Sequence, residues 1–157
     1  MSDTRQDRPS TLPWPPIIYA GTLAACWILE AVIALPRLPE SLIIRWIGAV
    51  IFLAGLGLAL KGVADLRAAG TTLHPTGAAS ALVTEGVYSW TRNPLYLAAL
   101  IAFAGLGLTL RSTWLLVSVP CVAIALSRLA IESEEAYLAR RFGGAYLQYT
   151  SRVRRWI

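Results

Sequence analysis

Charge, histidine and cysteine are all scarce in this sequence. Of its 157 residues, 15% are charged and 56% hydrophobic, whereas soluble domains carry about 25% charged residues. That shortage excludes an ordinary water-soluble globule and makes the chain a membrane protein by composition. The two cysteines, Cys26 and Cys121, lie far apart inside apolar blocks without metal-ligand spacing, and read as small buried hydrophobes. The single histidine, His74, precedes a proline in a loop with no carboxylate nearby in sequence, a weak basis for a general base. No Gly-rich phosphate loop, HExxH, CxxC or GxSxG occurs, so no metal site is expected. The net charge of +5 comes from arginines beside the apolar blocks, where they orient helices and meet anionic headgroups rather than nucleic acid.

The apolar residues fall in blocks and not in a 3.6-residue stripe, which is the pattern of helices solvated by lipid. Residues 1–15, polar and rich in proline, read as a disordered tail with no cleavable signal peptide. Spans are expected at about 16–35, 42–60, 95–110 and 114–131, each close to the length that crosses a hydrocarbon core of roughly 30 Å. The last two are separated by three residues and form an antiparallel helical hairpin. Gly48, Gly55 and Gly57 in the second span suit close helix packing. Glu30 in the first span is an ionisable candidate that reaches the outer interface or pairs with Arg45, and Arg128 either snorkels or faces the bundle.

Two polar stretches remain. Residues 61–93 form a long loop of mixed composition, too varied for disorder and long enough to be a working part. Residues 132–157 alternate charged and apolar positions at helical spacing and read as a cytosolic amphipathic helix, broken at Gly143 and Gly144. Arginine and lysine concentrate in the N-terminal tail, the long loop and the C-terminal tail, so both termini are expected in the cytoplasm. The fold class is thus all-α: an integral membrane bundle of about four transmembrane helices, one domain over 16–157.

Within this plan one segment stands out, residues 82–97, LVTEGVYSWTRNPLYL. Pro94 suits the first turn of a helix, and a helix N-terminus with Arg92 beside it attracts an anionic group. Arg92 could equally hold a lipid headgroup and Asn93 cap the helix. The hairpin brings Glu132, Glu134 and Glu135 to the same end. Adjacent carboxylates on a helix point about 100° apart, so Glu134 and Glu135 do not both address one ligand atom.

These residues carry a resemblance. LVTEGVYSWTRNPLY, the hairpin, and EEAYLARRFGGAYLQYTSRVRR resemble the isoprenylcysteine carboxyl methyltransferase and phospholipid methyltransferase superfamily, over about residues 71–155. The resemblance implies an integral-membrane, S-adenosylmethionine-dependent enzyme whose cofactor pocket uses a G-x-Y, an R-[HN]-P-x-Y and a later Glu pair. The matching positions are Gly86, Tyr88, Arg92, Asn93, Pro94, Tyr96, Glu134 and Glu135, with Arg92 and Glu135 as the catalytic candidates. Where the best-known members carry His, this chain has Asn93, which hydrogen-bonds but does not titrate.

A glutamate suits the cofactor's ammonium, an arginine or helix N-terminus its carboxylate, and tyrosine faces its adenine or sulfonium. The resemblance implies a lipophilic or small-molecule acceptor reached from the bilayer, membrane lipids as surroundings, and a place in the cell (inner) membrane with the cofactor entering from the cytosol. The acceptor and the oligomeric state stay open. An NADPH-dependent membrane reductase of the sterol-reductase type, which shares a similar Arg, His or Asn, Pro and Tyr arrangement, is the alternative enzyme, and a non-enzymatic membrane scaffold the alternative from another class.

Overall fold

In the computed structural model, residues 14–33, 35–71 and 80–157 are described. Residues 1–13 of the tail expected over 1–15, and the histidine at position 74, lie outside them. Among the described residues the secondary structure is entirely helical.

The first apolar block forms α1, Trp14–Val32. It starts earlier than the prolines suggested, because Pro15 and Pro16 fall in its first turn, where a missing N–H costs nothing. Ser41 then caps α2 by accepting from the Ile44 N–H at 3.4 Å. Helix α2, Leu42–Ala68, does not end near residue 60. KGVADLRA contains no breaker, the Lys61–Asp65 pair lies one turn apart, and the chain turns only at Gly70, whose φ is +65°. The long loop is therefore shorter than expected by two helical turns. Its first part is clasped, with the Ser80 N–H donating to Thr71 Oγ1 at 3.2 Å and Ser80 Oγ to the Gly70 carbonyl at 2.9 Å.

A 3₁₀ turn at Gly86–Ser89 leads into α3, Pro94–Leu110, and α4, Thr113–Leu126. At the hairpin tip Arg111 adopts φ +61° as the C-cap of α3, and Ser112 caps α4 through the Leu115 N–H at 3.1 Å. A π turn, Ser127–Ile131, joins α4 to α5, Glu132–Phe142, and α6, Gly144–Arg152, follows the break at Gly143 (φ +52°). Among the described residues three helices are long and apolar enough to cross a membrane: Trp14–Val32, Leu42–Ala68 and the continuous Thr113–Phe142. Helix α3 has 17 residues, about 25 Å of rise, and is shorter than those three.

Glycines set the α2–α3 distance. A Cβ on Gly55 would lie 2.8 Å from the Ala98 carbonyl and the Ala102 N–H nitrogen, and one on Gly48 would lie 2.6 Å from the Thr109 nitrogen. Gly57 has nothing within 4 Å, so it takes no part in the packing expected of it. The pairing of Gly48 with Thr109 and of Gly62 with Leu95 makes α2 and α3 antiparallel.

The two short turns meet at one end. There Arg111 Nε donates to the Leu38 carbonyl at 2.8 Å, Arg111 pairs with Glu40 at 3.1 Å, and Trp114 Nε1 donates to the Ile33 carbonyl at 3.0 Å. Glu30 and Arg45 form no ion pair with each other. Cys26 is buried beside Phe103 and Leu115, but Cys121 is exposed on the outer face of α4, where in a bilayer it would meet lipid. Arg128 is exposed and pairs with Glu132 at 3.4 Å, so it does not face the bundle. Trp27, Ile43 and Val50 are among the large side chains on the outside, as a lipid-facing surface requires.

Candidate active site

The opposite end holds a cavity of about 330 Å³, within the range that accepts a small organic ligand. Five helices contribute to it. The start of α1 supplies Pro15, Pro16 and Tyr19, the end of α2 Leu66, the start of α3 Pro94 to Tyr96, and α5 Glu134, Glu135 and Leu138. The loop adds Leu82, Val83, Tyr88, Arg92 and Asn93, and α6 adds Tyr146 and Tyr149. One wall is apolar and the other polar.

On the polar wall the two glutamates diverge, as their helical positions require. Glu134, half-buried, accepts from the Tyr96 hydroxyl at 2.9 Å. Glu135 turns instead to two arginines. Arg92 Nη1 lies 3.1 Å from its Oε1, and Arg155 donates through Nε at 3.1 Å and Nη2 at 2.6 Å. This bonding raises the Arg155 pKa further. The Arg92 Nε is buried and has no hydrogen-bond partner among the described residues.

Asn93 is buried and begins α3 without a side-chain cap. Its Nδ2 donates to the Arg155 carbonyl at 2.9 Å, which also accepts from Thr91 Oγ1 at 3.2 Å, while the Arg92 N–H donates to the Arg154 carbonyl at 3.0 Å. The C-terminal segment is thereby strapped across the start of α3. Trp156 completes the strap by packing against Val122, Leu126 and Ile131. Asn93 neither caps the helix nor stands free in the cavity; it anchors the tail.

Gly86 is not among the lining residues. A Cβ there would sit 2.7 Å from Asp65 Cγ, and its φ is +61°. The close approach it permits is to Asp65 of α2, whose Oδ2 accepts the Val87 N–H at 3.0 Å. This fixes the 3₁₀ turn that carries Tyr88. The Tyr88 carbonyl in turn accepts from the Tyr149 hydroxyl at 2.6 Å. Burial pushes the Tyr149 pKa up to about 12 despite Arg92, which pulls it down. Burial, then Glu134, raises Tyr88, and burial, then Glu135, raises Tyr146. All three stay neutral at physiological pH.

Seven of the eight residues singled out in the sequence therefore line one cavity, and Gly86 supports it from outside. Sequence reasoning missed the contribution of α1, Tyr146, Tyr149 and Arg155. The spacing of Tyr146 and Tyr149 on the tail helix was the available signal for two of them.

A helical membrane protein with a cavity of mixed apolar and polar lining at one bundle end is what these features define. The phospholipid methyltransferase family model matches residues 43–145, more than half of the chain, and the chain belongs to that family, within the superfamily the sequence resembles. The match takes in α2, where no motif was visible, and ends before the strap. No curated protein matches the chain.

Proposed function

We propose that the protein transfers the methyl group of S-adenosylmethionine to a lipid-like or small acceptor, with the cofactor reaching the cavity from the cytosol and the acceptor from the bilayer. The observation that carries the reading is that one cavity is lined by both Glu134 and Arg92, a carboxylate and a guanidinium. S-adenosylmethionine bears an ammonium, a carboxylate and a sulfonium, and these donors and acceptors fit it: Glu134 suits the ammonium, Arg92 the carboxylate, and the Tyr88, Tyr96 and Tyr146 rings the adenine or sulfonium. When bound, the group supplies an electrophilic methyl on a good leaving group.

What the protein adds is alignment and exclusion of water. Tyr96 holds Glu134, and Glu135 holds Arg92, so Glu135 acts through its neighbour as a positioning residue. Asn93 and Pro94 set the start of α3, from which Tyr96 projects. Pro15, Pro16 and Leu66 form the apolar wall, which suits an acceptor with a hydrocarbon portion. Both termini and the cavity lie on the cytoplasmic side of the inner membrane in this reading, in keeping with the arginines of the loop and tail.

The test is calorimetry of the full chain in lipid nanodiscs. Binding of S-adenosylmethionine, weakened about tenfold or more by Glu134→Gln and by Arg92→Ala, each the loss of a charge-assisted contact, is the expected result. Absence of binding, or binding indifferent to both changes, would overturn it.

A further inference from the structure

Glu135 is shared unequally between its two arginines. Arg155 meets it with two parallel bonds, at 3.1 Å and 2.6 Å, the forked geometry in which guanidinium and carboxylate match best. Arg92 reaches the same carboxylate through Nη1 alone. Its Nε is buried and has no acceptor among the described residues, a costly state for a donor. The neutral Tyr146 hydroxyl and the Glu135 carboxylate both neighbour that guanidinium; Glu135 is the charged one, and Arg155 bonds both of its oxygens.

Arg155 is not one of the residues lining the cavity. Its backbone is held independently of its side chain, since its carbonyl accepts from Asn93 and Thr91, the preceding carbonyl accepts from the Arg92 N–H, and Trp156 is packed on the bundle. Two guanidinium groups on one carboxylate leave one positive charge over. Because Arg155 is the fully matched partner, that charge stays with Arg92.

The geometry points to Arg155 as a positioning residue for Arg92: by holding both Glu135 oxygens from outside the cavity lining, it prevents Glu135 from closing a fork onto Arg92 and keeps the Arg92 guanidinium, which lines the cavity, and its charge available to an anionic group there. The identity of that anion, the cofactor's carboxylate, rests on the methyl-donor reading. The state of the Arg92 side chain does not.

The test uses the full chain in nanodiscs, as wild type, Arg155→Met, Glu135→Gln and the double variant. Nitrogen-labelled arginine reports the Arg92 Nε–H resonance, assigned by its loss in Arg92→Lys, and calorimetry reports S-adenosylmethionine affinity. In Arg155→Met the resonance should move to the position of a carboxylate-bonded N–H, and affinity should fall about tenfold, the size of one charge-assisted bond.

In the Glu135→Gln background the same change should cost less than about twofold, the signature of two residues acting through one partner. A merely structural Arg155 would lower thermal stability and cost the same affinity in both backgrounds. An unmoved Arg92 resonance, or equal losses in both backgrounds, overturns the assignment. If the wild type binds no S-adenosylmethionine, the methyl-donor reading fails while the resonance still decides the role of Arg155. Should Arg155→Met fail to fold, Arg155→Lys, whose ammonium cannot form the fork, takes its place with the same readouts.

Discussion

Tyr96 donates its hydroxyl to Glu134 across 2.9 Å, tying the first turn of α3 to the first turn of α5 on the polar wall of the cavity. The two residues should therefore fail differently. Glu134→Gln removes the charge an ammonium would meet, and should weaken S-adenosylmethionine binding about tenfold to a hundredfold, with little loss of stability. Tyr96→Phe strips the carboxylate of its donor and should lower stability by about 1–3 kcal/mol, while binding falls less. Calorimetry and thermal melting of both variants separate the two effects.

Gly86 is tested through the fold. Its φ of +61° and the 2.7 Å that would separate a Cβ from Asp65 Cγ predict that Gly86→Ala destabilises the protein by about 1–3 kcal/mol. Adding Asp65→Ala should relieve the clash but not the backbone strain, so melting of the double variant should recover only in part.

The sequence made Arg92 to Tyr96 and the glutamate pair legible because each group is local in the chain and the α3–α4 hairpin alone brings them together. Other parts of the site had no local mark. Pro15, Pro16 and Tyr19 belong to a block that reads as membrane filler, and only packing of α1 beside α4 gives them a role. Arg155 acts on a residue 20 positions away, across a glycine break whose geometry the sequence does not specify. The π turn at Ser127–Ile131 has no residue signature, yet it sets the direction in which Glu134 and Glu135 leave the bundle. Lys61 looked like a membrane boundary because charge usually marks one, whereas its pairing with Asp65 let the helix run on.

The glycines of the bundle, alike in sequence, should behave in opposite ways. A Cβ on Gly105 would lie 2.7 Å from both the Gly48 carbonyl oxygen and Phe52 Cα, backbone atoms that cannot swing aside. Gly105→Val should force α2 and α3 apart and cost about 1–3 kcal/mol or more. Gly57, with nothing within 4 Å, should tolerate alanine, and gain up to about 1 kcal/mol because glycine is the poorer helix former. Melting of the two variants in the same detergent decides it, and a destabilised Gly57→Ala would count against this packing.

Alkaline pH should attack the tail before the bundle. Tyr149 rises from an ordinary 10.0 to about 12 because it is buried, and Tyr88 and Tyr146 shift in the same direction. The folded chain thus keeps phenol protons that the unfolded chain has already lost. Stability from this source is whole below pH 10.0 and drains away as pH rises toward about 12. Melting temperature should be insensitive to these groups at neutral pH and fall steeply through that window, with tyrosinate absorbance appearing together with unfolding. Tyr149→Phe should flatten part of the slope while lowering stability at neutral pH, since it also removes the 2.6 Å bond to the Tyr88 carbonyl. Tyrosinate at ordinary tyrosine pH in the folded protein that disappears in Tyr149→Phe would contradict the burial of that ring.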